Sequence, residues 1–173
     1  MGFNYSLAKN NNVYGQFSTG YRAPQTTELF RLQAGQLTAD LDTEQIKSTE
    51  LGLRGQNGKF SYDMSAFSMY KDNFIFQDTN RQNISAGQTT HRGVEFTFNY
   101  QFIENFYLKA SGTLAEHKYD AALTLSKTDI NGNYIDTAPK QMASMQLGWR
   151  NEHASQIELE WLHLGKYYLN PEN

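Results

Sequence analysis

The sequence predicts an all-β chain, an antiparallel up-and-down meander of about eight strands with the character of a transmembrane β-barrel. Three observations predict it. Apolar and polar residues alternate with period two along most of the 173 residues, and helical periodicity is hard to find. The connections between alternating runs are by turns short and long. Aromatic residues gather at the ends of the runs.

The elements follow in order. Phe3, Tyr5 and Leu7 alternate with Asn4, Ser6 and Ala8, and Val13 and Phe17 with Tyr14, Gln16 and Ser18. Two less regular runs cover residues 44–55 and 60–76, and in the second the apolar face changes parity near Ala66 and Phe67, which a β-bulge would produce. The cleanest run is 92–102. There Val94, Phe96, Phe98, Tyr100 and Phe102 take one face, and Gly93, Glu95, Thr97, Asn99 and Gln101 the other. Phe106, Leu108, Ala110, Gly112 and Leu114 continue the pattern, as do Met145, Leu147 and Trp149, and then Ile157, Leu159 and Trp161.

Short polar turns at 9–12, 56–59, 103–105 and 151–154 carry the Asn and Gly that tight hairpins need. Long connections are expected at 20–43, 77–88 and 119–138. From the second short turn to the third is about 46 residues, and to the fourth about 48 more, so each hairpin unit has a similar size. Asn11, Asn57, Asn105 and Glu152 are therefore expected at one rim, and Gln33, Asn80 and Asn131 at the other.

Runs of roughly 10 to 14 residues exceed ordinary soluble strands and suit a tilted span of a bilayer. Tyr100, Phe102, Phe106 and Trp149 flank short turns, while Tyr70, Phe74, Phe76, Tyr167 and Tyr168 lie toward the long connections, as two interfacial girdles would. A chain with eleven Tyr, eleven Phe and a mean hydropathy of -0.67 places its aromatics by position. Absence of Cys excludes disulfides, thiolate metal sites and Cys nucleophiles, and a net charge of -3 offers nucleic acid no electrostatic footprint. No Gly-x-Ser-x-Gly elbow appears, and the four His have no evident acid and nucleophile partners, so the chain does not read as an enzyme.

Residues Gly20-Tyr21-Arg22-Ala23-Pro24, followed by Glu28-Leu29-Phe30, resemble the FRAP-and-ELY box of TonB-dependent outer-membrane receptors. Leu41-Asp42-Thr43-Glu44 is similar to that family's approach to the next strand, and Glu50, Gly52, Arg54 and Gly55 to the strand itself. Phe67, Tyr70, Lys71, Asp72 and Ile75, then His91-Arg92-Gly93-Val94-Glu95, then Ala138-Pro139-Lys140, resemble further family segments in the family's order. The resemblance implies a barrel of about 22 strands around an N-terminal plug, in the bacterial outer membrane. Residues 1–173 are then expected to be a partial barrel domain, with plug and terminal strands outside it. Such an arc would not close on itself.

The resemblance also implies TonB-energised uptake of a scarce ligand, with outer-membrane lipid, a TonB complex acting through the plug and a ferric chelate as partners, and no resident cofactor. Haem is disfavoured, because there is no His before His91 and Ala39-Asp40-Leu41-Asp42 stands where haem receptors carry their own element. A ferric siderophore is the default, with cobalamin, nickel chelates or a glycan open. The alternatives are a complete eight-stranded structural or adhesin barrel, and a soluble β-domain with a binding role.

Candidate ligand contacts are Tyr21, Arg22, Gln25, His117 and Tyr119, at the bases of the long connections. Arg offers a planar fork for carboxylate-rich chelates, and Tyr a broad amphipathic surface. For Arg22 the favoured reading is a partner of a barrel-wall carboxylate that holds the loop's entry. Residues 129–136 suggest a calcium loop, but Gly132 and Lys140 fall at the wrong positions for one, which favours a hairpin turn at Asn131-Gly132. Glu158 and Glu160 share a strand face and read as solvated lining.

Overall fold

Period-two alternation builds one antiparallel sheet in the computed structural model, which describes residues 1–30, 35–77, 81–120, 124–125, 128–152 and 155–173. In chain order the elements are β1 (Gly2–Ala8), β2 (Asn11–Arg22), the helical turn α1 (Thr26–Phe30), β3 (Glu44–Asn57), β4 (Phe60–Gln77), β5 (Asn83–Ile103), β6 (Phe106–Tyr119), the small ribbon β7 (Thr124–Leu125) and β8 (Thr128–Asp129), β9 (Gln141–Arg150) and β10 (Gln156–Leu164). Among the described residues eight strands form the sheet, in the order β1-β2-β3-β4-β5-β6-β9-β10. β1 and β10 are its two edges and do not pair, so the arc is open, as expected.

Register sorts the side chains cleanly. Val13 faces Leu53, Leu53 faces Met64, Met64 faces Phe96, Phe96 faces Gly112, and Ala110 faces Met145, which faces Trp161. The other face joins Gln16 to Glu50, Asn99 to Lys109 and Gln146 to Glu160. The apolar face is bare: Phe3, Leu51, Ile157 and Leu159 are 57%, 57%, 69% and 71% exposed. Among the described residues the hydrophobic cluster lies at one end, where Tyr119 and fully buried Ile130 pack with Phe76 and Ile135. A sheet with a large apolar face and almost no core under it is built for an apolar surrounding.

Along the apolar face the run ends abruptly. Beyond Val94 comes Arg92, and beyond Leu114 comes Glu116, its cross-strand partner. β4, β5 and β6 nevertheless continue to Gln77, back from Asn83, and to Tyr119. The ladder therefore projects past the apolar band, and the connection expected at 77–88 is largely strand, with Phe74 paired to Gly87 and Phe76 to Ile84. Its polar composition reads as loop, and cross-strand bonding with β4 extends it as sheet.

The bulge lies elsewhere than expected. β4 keeps register with β5 from Phe60 through Lys71; one shift falls between Lys71 and Phe74, where Asn73 has φ 55°, and a second between Phe74 and Phe76. Phe67 breaks the apolar parity for another reason: it stands on the polar face opposite Gly93, with its ring against that glycine. The same device recurs at Phe3 over Gly15, Tyr14 over Gly52, Tyr62 over Gly55, Phe96 over Gly112 and Tyr107 over Gly148, each pair directly opposite in register. An aromatic ring fills the gap that a strand glycine leaves, shielding its backbone and pinning register. After the bulge Phe76 turns into the loop core rather than joining a girdle. Phe60, Tyr100, Phe102 and Phe106 do form a belt at the short-turn rim, with centroids 6.0 to 6.2 Å apart.

The short turns share that rim. Gly58, Asn105, Asn151 and Glu152, from three hairpins, line a single depression, and Asn11 accepts a hydrogen bond from Tyr62 beside them. Asn131 lies at the opposite end, next to Gly132, whose amide bonds the Tyr119 carbonyl. Gln33 and Asn80 lie outside the described residues. Among the described residues no helix is long and apolar enough to cross a membrane.

Candidate functional site

The projecting end of the polar face carries a charge network that ties the 23–43 connection to three strands. Arg22 ends β2 and faces Glu44, the first residue of β3. Its Nε and Nη2 donate to Glu44 at 2.7 Å each, and its Nη1 and Nη2 donate to Glu28 at 3.0 and 3.1 Å. Both pairs are bidentate, the geometry that suits a guanidinium to carboxylates. Lys71 of β4 lies 3.0 Å from Glu44, whose other oxygen accepts the Ile75 amide at 3.0 Å just past the bulge. Glu44 is 3% exposed. Burial alone would push its carboxyl up, but the hydrogen bonds from Arg22, Ile75 and Lys71 outweigh it and hold it down at about 2. The Arg22 guanidinium is in turn raised by these carboxylates, and Glu28 is lowered by Arg22.

Local structure places Glu28. Gln25 precedes the single turn of α1, its carbonyl accepts the amides of Glu28 and Leu29, and its own amide donates to the Glu28 carboxylate at 2.6 Å. That is the return half of a capping box, so one carboxylate closes the helical turn and receives Arg22. Pro24 keeps the chain extended up to that point. Farther along, Asn83 donates to the Glu28 carbonyl, and the Asp42 amide to Ser85, fastening the connection to β5.

The 119–138 connection is fastened separately. Tyr119 donates to Asp136 at 2.8 Å, and burial raises its phenol, with Asp136 adding to the effect. The Tyr119 amide bonds the Asn133 carbonyl, and the Ile135 amide that of His117, so the loop returns along the free edge of β6 above the point where β9 leaves it. Gly132, at φ 79°, makes the reversal with Asn131, whose amide donates to Asp129 Oδ1 in an Asx turn. Those contacts engage Asp129 and Asp136 in a turn.

A third group lies between the two anchors. His91 and His117 face each other across β5 and β6 with Nδ1 atoms 2.8 Å apart, and His91 Nε2 meets Thr89 Oγ1 at 3.0 Å. Burial lowers both imidazoles, His91 to about 4 with help from the His117 and Lys71 charges. Two contacting Nδ1 atoms hold one proton between them, so the pair is a neutral donor and acceptor. Among the described residues no three His, Asp or Glu side chains converge as a metal site.

The five candidate contacts are thus distributed. Arg22, Gln25, His117 and Tyr119 lie at the projecting end, with Arg22 and Tyr119 engaged by loop carboxylates. Tyr21 lies on the opposite face, 68% exposed, where it accepts a hydrogen bond from Gln45. Adjacent strand residues point to opposite faces, so Tyr21 and Arg22 cannot line one site. Sequence reasoning passed over Glu28, Glu44, Lys71, His91 and Asp136. Glu28 and Glu44 stood inside quoted motifs, and a search for carboxylates able to meet Arg22 would have found them.

Solved structures with the same fold are known. The chain superposes on the ferric yersiniabactin uptake receptor FyuA from Yersinia pestis (TM-score 0.79, 17% identity), on the ferric citrate transporter FecA (0.81, 19%) and on the siderophore receptor PiuA from Acinetobacter baumannii (0.78, 17%). In each case 99% of this chain covers 26% of the other, so the chain spans about a quarter of those proteins. The family model described as TonB dependent receptor-like, beta-barrel matches residues 1–173. The chain therefore belongs to the TonB-dependent receptor β-barrel family of the bacterial outer membrane.

Proposed function

We propose that this chain is part of an outer-membrane receptor that imports a ferric siderophore, energised through TonB, and that it acts in transport and not as an enzyme. The observation that carries the reading is the asymmetry of the arc. One rim has short turns, three of them of two residues, while the other holds long connections tied onto a projecting polar ladder by the Arg22–Glu44 and Tyr119–Asp136 contacts. Long connections held rigidly at one mouth suit capture of a bulky ligand. The ferric-chelate receptors that share the fold support the choice of ligand class. In this reading the apolar band from Val94 to Phe102 meets lipid, the polar face lines the lumen, and residues 1–173 are joined by plug and further strands.

Within that reading Arg22 and Tyr119 hold loops, and ligand meets the surfaces those loops present. The test uses the intact receptor: Arg22→Ala and Tyr119→Ala together, with normal insertion confirmed, assayed for uptake and binding of a panel of ferric siderophores. Saturable uptake by the unaltered receptor, with weaker but still specific binding by the double variant, is expected. Absence of uptake of any ferric siderophore by the unaltered receptor would refute the ligand class.

A further inference from the structure

We propose that His91 and His117, with Met69 beside them, form a binding site for a late divalent transition-metal ion, Cu²⁺ above all, on the projecting part of the polar face. Register brings the three together: Met69 of β4 lies directly opposite His91 of β5, which lies directly opposite His117 of β6. All three are half-buried, one position past the level where Arg92 and Glu116 end the apolar band.

The geometry fits a tetragonal ion. Two Nδ1 atoms 2.8 Å apart, each about 2.0 Å from a metal, subtend about 90° at it, the cis angle of a square-planar or tetragonal site. Tetrahedral zinc would need the rings to part to about 3.3 Å. Binding shifts the shared proton from Nδ1 to Nε2 of the ring that held it, so both rings ligate through Nδ1 as neutral imidazoles and no group has to ionise. His91 Nε2 is already committed to Thr89, as ligating imidazoles hold their second nitrogen, and when that nitrogen carries the proton Nδ1 presents its lone pair to the neighbouring ring. The thioether of Met69 would be a weak, long third ligand. Lys71, whose charge acts on His91, lies 3.0 Å from Glu44, which offsets part of its opposition to a bound cation.

This inference goes beyond the receptor reading, and its test needs no uptake. Purified intact receptor in detergent is titrated with Cu²⁺ against a competing chelator and examined by electron paramagnetic resonance, alongside His91→Gln, His117→Gln and the double variant. Gln keeps a polar pair across the strands, and the heat-modifiable mobility of a folded barrel checks each protein. The unaltered receptor should bind one equivalent more than the double variant, with a tetragonal spectrum showing coupling to two nitrogens. Each single variant should bind at least about 100-fold more weakly, since a lost ligand costs more than a lost supporting contact. Met69→Leu should weaken binding several-fold. The same stoichiometry and spectrum in the folded double variant would overturn the site, and unchanged affinity in Met69→Leu would remove the third ligand.

Discussion

Glu44→Gln is the most informative single change, because one carboxylate connects β2, β3, β4 and the 23–43 connection. Its oxygens receive Arg22 twice at 2.7 Å, Lys71 at 3.0 Å and the Ile75 amide at 3.0 Å. The carboxyl falls from 4.5 to about 2. At about 1.4 kcal/mol per pH unit this is about 3 kcal/mol, which the 37% exposure of the Arg22 side chain and the screening it brings reduce to about 2 kcal/mol. Because the folded value is depressed, the contribution is complete above pH 4.5 and is lost as pH falls toward 2. Gln still offers an oxygen to Ile75 but no charge to Arg22 or Lys71. Hydrogen exchange on the intact receptor reads the result: the Ile75 amide should exchange about 30-fold faster in Glu44→Gln at pH 7, through local opening. In the unaltered protein the same protection, corrected for intrinsic rate, should fade between pH 4.5 and pH 2. Unchanged Ile75 protection in the variant would refute the idea that this network holds the connection down.

The aromatic-over-glycine pairs predict that Gly52→Ala and Gly148→Ala force the rings of Tyr14 and Tyr107 aside and destabilise the barrel by about 1 to 3 kcal/mol, lowering the temperature at which heat-modifiable mobility is lost. In the 119–138 connection Ile130→Ala should remove about 2 to 5 kcal/mol of local stability and Tyr119→Phe about 1 kcal/mol, both seen as faster exchange there with the strands unchanged. Orientation is checked by cysteine labelling of intact cells: Asn131→Cys should react with an impermeant maleimide, whereas Glu104→Cys should react only after the outer membrane is opened.

Period two alone determined the strands, the number of hairpins and which residues share a face, since a pleat assigns faces by parity and needs no partner to do so. The order of short and long connections likewise determined which turns gather at one rim, and the motif order from Tyr21 to Lys140 determined the family. Three things were decided only in space. The bulge moved from Ala66–Phe67 to Asn73, because an aromatic on the polar face answers a glycine one strand away and that strand is 26 residues distant in the chain from Phe67 to Gly93. The 83–88 stretch became strand because β4 projects far enough to pair with it. The partners of Arg22 and Tyr119, and the meeting of His91 with His117, depend on register between strands, and a register is a sum of pairings that no single run of residues carries.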